Sequence, residues 1–312
     1  MKKRIKIWSL AALIVVSLAG SGWGASDETG STASNFLKIG VGARSAAMGE
    51  AYGAIADDVF ALYWNPAGLV NLKARELSFM HTEWLLDTRY EYLGFGQQLR
   101  PIGSIGAGLA IFDAGEIPNE KEGDQGEPLG RSGTHNGRLM AFSVGWGFQT
   151  RYNLSAGAAV KIIHQKIAEE SDEGVAIDLG LLYVLPLGPK SNKISFVLQN
   201  IGPDINDDPL PFAVKIGTSH QLRDDFILGL EVDIPRDNIL SLAAGGEKQV
   251  NEFAVIRAGY KFLADRNKQD ALSGFSAGVG ISHGGYKLDY AVVTYGKELE
   301  ELAHRLALLF RW

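Results

Sequence analysis

From about Arg75 to the end of the chain, one pattern repeats: apolar residues alternate with small or polar ones, and then a turn intervenes. Met140, Phe142, Val144, Trp146 and Phe148 alternate with Ala141, Ser143, Gly145, Gly147 and Gln149. Val175, Ile177, Leu179, Leu181 and Tyr183 alternate with Ala176, Asp178, Gly180, Leu182 and Val184. A period of two is the signature of a strand with two different faces. Fourteen such segments fit, at 75–84, 89–99, 102–112, 138–149, 153–166, 174–185, 193–201, 211–221, 225–234, 239–247, 253–263, 272–283, 285–296 and 302–312. Pro101-Ile102-Gly103, Thr150 to Asn153, Arg223 to Asp225 and His283 to Gly285 read as tight turns. Asp113 to Gly137, Glu169 to Gly174, Gly202 to Pro209 and Ala264 to Asp270 read as longer polar loops. Short turns alternating with longer loops are the mark of a transmembrane barrel, and an even strand count returns both ends to one side.

An exported β-sandwich or propeller also alternates, but its second face meets water and carries Lys, Glu and Thr. Here the second face is largely Gly, Ser and Ala with scattered charges. That suits a barrel interior in contact with something packed inside it. Trp84, Tyr90, Tyr92, Tyr183, Tyr286, Tyr290 and Trp312 sit near segment ends, where amphipathic rings would line a membrane interface. The expected fold is all-β: a 14-stranded antiparallel transmembrane β-barrel over residues 74–312 with a short helical N-terminal hatch, residues 25–73, inside the lumen.

The first residues supply the route. Met1 to Lys6 is basic, Ile7 to Ala19 is apolar, and Gly22-Trp23-Gly24 places small residues at −3 and −1 for a cut before Ala25. Ala19-Gly20-Ser21 offers a second site. This is the pattern of a secretory signal peptide, residues 1–24. The formal charge of −6 gives nucleic acid no electrostatic purchase, and with 0 cysteines there is no disulfide framework, thiolate metal site or lipidated cysteine. His81, His135, His164, His220, His283 and His304 show no metal-ligand spacing, and no nucleophile elbow or P-loop is present. No enzyme and no cofactor are expected.

Between signal and barrel lies a small-residue stretch from Gly40 to Leu69. Gly40-Val41-Gly42 imitates a dinucleotide loop, with Asp57 or Asp58 to hold a ribose, but Ser45 stands at the third glycine position and no βαβ unit surrounds it. A fourteen-stranded lumen is too wide for wall side chains to fill, so a compact segment here can obstruct it. Ser45 to Ala56 and Asp58 to Trp64 have helical composition, and Pro66 must turn the chain. Asn65, ahead of Pro66, is biased to extended backbone, leaving its amide for neighbouring backbone groups. Inward Gly145, Gly147, Gly278 and Gly280 would give the turn room. Arg44, if buried, needs a carboxylate; Asp178, Glu231 and Asp289 are inward candidates.

The run Gly40-Val41-Gly42-Ala43-Arg44-Ser45-Ala46-Ala47-Met48-Gly49-Glu50-Ala51-Tyr52, then Ala56-Asp57-Asp58, then Tyr63-Trp64-Asn65-Pro66-Ala67-Gly68-Leu69 resembles the N-terminal signature of the PorV/PorQ family, which is related to the FadL-like long-chain fatty-acid transporters. Val197 to Pro203, Leu210-Pro211 and His304 to Phe310 resemble further family blocks. The resemblance implies an outer-membrane location, a hatch carrying Asn65-Pro66-Ala67 inside the barrel, and either passage of hydrophobic compounds or service as a type IX secretion scaffold. The partners implied are outer-membrane lipid, the barrel-assembly machinery, and a hydrophobic ligand or secreted and secretion-system proteins. The chain is shorter than the fatty-acid transporters and lacks their helical loop insertions. Leu306, Leu308, Phe310 and Trp312 form the alternating aromatic-ended terminus read as the barrel-insertion signal. Deleting Trp312 should lower membrane insertion and raise degradation before insertion; normal barrel levels in fractionated cells would remove that assignment.

Overall fold

A computed structural model describes residues 30–84, 88–122, 128–186, 191–264, 273–295 and 302–312. The signal sequence expected over 1–24 lies outside them. Fourteen strands pair antiparallel with their chain neighbours, and the first pairs with the last to close a barrel. They are β1 (Glu76–Glu83), β2 (Arg89–Leu99), β3 (Gly103–Glu122), β4 (Pro128–Gln149), β5 (Leu154–Ile167), β6 (Glu170–Leu185) and β7 (Asn192–Ile201). The series continues with β8 (Ala213–Arg223), β9 (Phe226–Pro235), β10 (Ser241–Gln249), β11 (Ala254–Leu263), β12 (Phe275–His283), β13 (Tyr286–Thr294) and β14 (Leu302–Arg311). Beyond the last rung, Arg75 and Trp312 exchange two backbone hydrogen bonds of 3.2 Å. Closure leaves no unpaired strand edge, so the backbone is satisfied within the wall.

The period-two pattern sets which face looks out. On β6, Val175, Ile177, Leu179 and Leu181 are exposed while Ala176, Asp178 and Leu182 are buried. The same holds on β14, where Leu306 and Leu308 face out and Arg305, Ala307 and Leu309 face in. The outward side chains make a continuous apolar belt, far larger than a water-soluble monomer exposes and of the kind that meets hydrocarbon. Among the described residues no helix is long and apolar enough to cross a membrane; the strands are the apolar elements.

Two expectations need correction. Tyr90 and Tyr92 point inward and are 1% and 4% exposed, whereas Tyr183, Tyr286, Tyr290 and Trp312 stand on the outer surface. Ring type alone does not separate the faces; strand parity does. The loops expected at 113–137 and 169–174 are largely strand. β3 and β4 run for 20 and 22 residues, with register shifts from Asp113 onward. β5 and β6 pair up to Ile167 and Glu170, turning at Ala168, which has φ 55°. Past the apolar belt no face remains to alternate, so the hydrophobic signal stops while backbone pairing continues.

The tight turns lie at one end of the barrel with both chain ends of the strand set, called here the short-turn end; the opposite end is the long-loop end. Residues 35–71 run through the lumen between them. A 3₁₀ turn (Asn35–Lys38) begins near the long-loop end, where the Ala33 N–H donates to the Pro209 carbonyl at 3.0 Å. Helix α1 (Ala43–Ala47) lies against β11 to β14, helix α2 (Ala61–Trp64) against β3 and β4, and a second 3₁₀ stretch (Pro66–Asn71) against β2 to β6. Both helices are shorter than the 45–56 and 58–64 spans read from composition. Gly49 and Glu50 adopt φ 64° and 72°, which ends α1, and Asp58 Oδ1 accepts the Phe60 N–H at 3.1 Å, which delays α2.

The belt carries a direct test. A charge facing hydrocarbon near the midplane costs about 2–4 kcal/mol. Val144→Arg should destabilise the barrel by roughly that amount in urea unfolding from liposomes; a cost near zero would mean β4 does not face lipid.

Candidate functional site

The segment in the lumen is held first by backbone contact. Inward glycines lie side by side across neighbouring strands: Gly147, Gly157 and Gly180 pair in register on β4, β5 and β6, and Gly229, Gly245 and Gly259 on β9, β10 and β11. A Cβ on Gly157 would strike the Pro66 carbonyl carbon and the Ala67 nitrogen; one on Gly180 would strike Asn65 Oδ1. A Cβ on Gly245 would strike the Met48 carbonyl, and one on Gly259 the Gly49 nitrogen. The wall lacks side chains where the segment's backbone needs the space. Of the glycines expected to give room, Gly145 meets Leu62, Gly147 meets Pro66 and Gly278 meets Ala47. Gly280 instead meets Asp289 and Arg257, away from the segment. Gly157, Gly180, Gly229, Gly245 and Gly259 were missed; all share the inward parity of their strands, which is the signal that finds them.

Asn65 has extended backbone, φ −163° and ψ 102°. Its Oδ1 accepts the Ala67 N–H at 3.1 Å, capping the 3₁₀ stretch that Pro66 opens. Its Nδ2 donates to the Gly53 carbonyl at 3.0 Å and across to the Leu181 carbonyl of β6 at 3.2 Å. One buried amide thus ties two parts of the segment to the wall. Gly68 packs on the Ala56 carbonyl, where a Cβ would stand 2.7 Å away. Gly40 packs on Trp64, and its carbonyl accepts from Arg305 Nη1 of β14 at 2.6 Å. Gly42, at φ 92°, opens α1 and places its N–H 2.9 Å from Met80 Sδ. Met48 is fully buried, and the Gly49 N–H donates to Ser276 Oγ at 3.0 Å.

Charge forms the second set of ties, concentrated toward the short-turn end. Arg44 grips Glu247 of β10 with two nitrogens, at 2.7 and 2.9 Å, and reaches Asp57 Oδ1 at 2.5 Å. Glu247 also accepts from Arg257 at 2.6 Å, and Arg257 reaches Asp289 at 2.8 Å. Arg44 therefore does not pair with Asp178, Glu231 or Asp289, the partners expected from parity. Asp178 binds Lys161 at 2.7 Å, Glu231 accepts the Gly53 N–H at 2.6 Å, and Asp289 is shared by Arg257 and Lys287. Parity says which carboxylates face inward but not their height along the lumen. Burial opposes ionisation of Asp57, yet Arg44 beside it holds its carboxyl below the usual range. Burial pushes the neighbouring Asp58 carboxyl up, and the Asp57 charge adds to that rise. Asp58 accepts a 2.9 Å hydrogen bond from the Tyr52 hydroxyl.

Small cavities lie beside the segment, among them one of about 100 Å³ bounded by Leu37, Lys38, Tyr63, Gln199 and Lys261. A cavity of about 200 Å³ is bounded by Ile39, Glu50, Trp84, Lys261 and Tyr295. Another of about 20 Å³ lies among Leu62, Tyr63, Tyr90, Tyr92 and Ala110. At the chain end, Phe310 and Trp312 stack with centroids 5.1 Å apart on the outer surface, in line with Leu306 and Leu308.

The closed fourteen-stranded barrel has the fold of the FadL-like proteins. The toluene transporter TbuX of Ralstonia pickettii superposes with a TM-score of 0.62 at 16% identity, over 88% of this chain and 98% of that one. The Pseudomonas putida toluene transporter TodX gives 0.59 at 14%, over 86% and 96%. A Pseudomonas aeruginosa FadL homologue gives 0.55 at 10%, over 86% and 97%. No curated protein matches the chain in sequence. The sequence profile of the uncharacterised protein family UPF0164 matches residues 12–181, more than half of the chain, and the chain belongs to that family.

The ion pairs can be tested alone. Removing one partner of a buried pair costs on the order of 3 kcal/mol, at the low end of the usual range because Glu247 keeps Arg257. Arg44→Met should therefore speed hydrogen exchange across Tyr52–Trp64 while the strands stay protected. Unchanged protection would mean that glycine packing alone holds the segment.

Proposed function

We propose that this chain is an outer-membrane protein that admits small hydrophobic molecules, with residues 30–72 as its hatch, and that the structure is its closed state. One observation carries the reading: a lipid-type outer belt surrounds a lumen filled by a segment whose own backbone lies on bare glycine. At those glycines the wall has no side chain to interlock with the segment, so the ties a shift must break are the polar ones, from Arg44 to Glu247, Glu50 to Lys261 and Asn65 to Leu181. The fold shared with two toluene transporters supports a substrate class of small hydrocarbons. The cavities described beside the segment are small, about 20 to 200 Å³ each, and on this reading passage requires the hatch to shift. The belt, the short-turn and long-loop asymmetry, and the signal sequence expected at 1–24 support an outer-membrane location.

A second reading has its own support. The ion pairs of Arg44 and the wall-to-wall packing favour a permanently sealed barrel, which would serve as a PorV/PorQ-type scaffold in type IX secretion, docking secreted proteins through its loops. Conductance separates the two. In planar bilayers the wild type should conduct poorly, and Asn65→Ala with Pro66→Leu should give larger or noisier currents and faster entry of a monoaromatic hydrocarbon into vesicles. If deleting residues 40–69 from a folded barrel changes neither, the segment is no hatch. Recovery of secretion partners in mild detergent, with no hydrocarbon entry, would favour the scaffold.

A further inference from the structure

On the outer surface, over β8 to β12, the belt is interrupted by a groove of about 800 Å³. Two rows of paired residues form it. Thr218, Leu230, Ala244, Tyr260 and Phe275 are in register across the strands, and so are His220, Leu228, Gly246, Ala258 and Ala277 one step closer to the short-turn end. Ala244, Gly246 and Ala258 make the floor because their side chains are small beside the leucines and aromatic rings around them. Leu230, Tyr260 and Phe275 rise beside it. A Cβ on Gly246 would stand 3.4 Å from both Leu228 and Phe226, so the edge overhangs the floor. The groove is almost wholly apolar, and it lies in the belt that faces hydrocarbon.

The next row toward the short-turn end is Arg223, Phe226, Lys248 and Ile256. Lys248 has the parity of Ala244 and Gly246, so it points outward; Glu247, of opposite parity, is the inward partner of Arg44. Its strand neighbours on both sides are apolar, and among the described residues no side chain pairs with its ammonium. The carboxylates of the adjoining turns, Asp224, Asp225 and Glu252, lie beyond the strand ends. A lysine at the foot of a lipid-facing groove reaches with its stem along apolar surface to the depth of the headgroups.

We propose that this groove binds one anionic glycerophospholipid of the leaflet at the short-turn end, with an acyl chain on the Ala244–Gly246–Ala258 floor and the phosphate on Lys248. The occupant follows from place and charge: hydrocarbon surrounds the groove, and two cations, Lys248 and Arg223, stand in the row at its foot. The inference rests on the membrane reading above.

Full-length protein is reconstituted in vesicles of equal parts phosphatidylglycerol and phosphatidylcholine, extracted in mild detergent and weighed by native mass spectrometry. The wild type should retain one phosphatidylglycerol in preference to phosphatidylcholine. Ala258→Phe should fill the groove and lose the lipid, while Val160→Phe, on the smooth outer face of β5, should keep it. Lys248→Gln should still hold a lipid but lose roughly fivefold of the headgroup preference. Equal retention by Ala258→Phe, no retention by the wild type, or a dimer that Ala258→Phe dissociates would overturn the proposal, the last by making the groove a contact between copies. A protein that inserts but retains no lipid sinks this inference alone; one that never enters the vesicles sinks the membrane reading with it.

Discussion

The structure depends on contact between the backbone of residues 40–69 and the glycine rows of the barrel wall. Fourteen strands enclose more volume than inward side chains can fill, and an empty apolar lumen forfeits dispersion contacts on every face. Here the space is filled by chain rather than by side chains. Because the segment's own carbonyls and amides reach the wall, the wall must give up Cβ atoms, which explains why Gly147, Gly157 and Gly180 stand in one register row and Gly229, Gly245 and Gly259 in another. Each glycine weakens its strand slightly. Closure of the barrel, with no edge to fray, makes that tolerable.

Filling a lumen with backbone raises the question of its polar groups. The segment has only five and four residues in its two α-helices, yet many of its N–H groups bond within it through tight turns, as Ala51 does to Met48 and Ile55 to Tyr52. The wall supplies partners for others: Ser276, Glu231 and Glu76 accept amides, and Arg305 donates to the Gly40 carbonyl. Asn65 does the same from within, joining the Gly53 and Leu181 carbonyls. The charged groups follow the same logic. Arg44, Glu247, Arg257, Asp289 and Lys287 form a chain of alternating sign in which each buried charge has a neighbour of opposite sign, so desolvation is offset along the chain rather than pair by pair.

All fourteen strands were legible in the sequence because each crosses an apolar belt and must alternate there. Their outer ends were not, since β3 and β4 continue as paired backbone where nothing apolar remains to alternate. Tyr90 and Tyr92 were misplaced by residue type although their parity with the buried positions of β2 was in view. In the lumen the turn at Pro66 was readable from proline's missing amide hydrogen. The partners of Arg44 were not, because pairing depends on how far Glu247 and Asp178 lie along the lumen, which strand parity does not encode. The helix lengths failed for a local reason: left-handed backbone at Gly49 and Glu50 is imposed by packing against Tyr260 and Ser276, not by composition.

The run Ala243-Ala244-Gly245-Gly246 of β10 brings these constraints together. Gly245 clears the inner face for the Met48 carbonyl, while Ala244 and Gly246 leave the outer face as the floor of a groove. At this point the wall is one layer of backbone with almost no side chain on either side. A strand so bare has little packing of its own and is stabilised by what lies against it: the N-terminal segment on the inside, and whatever fills the groove on the outside. The neighbouring residues, Glu247 inward and Lys248 outward, repeat the division in charge, one bound to Arg44 and the other facing the membrane side. Four small residues and two charges on one strand thus set both the seat of the lumen segment and the shape of the surface behind it.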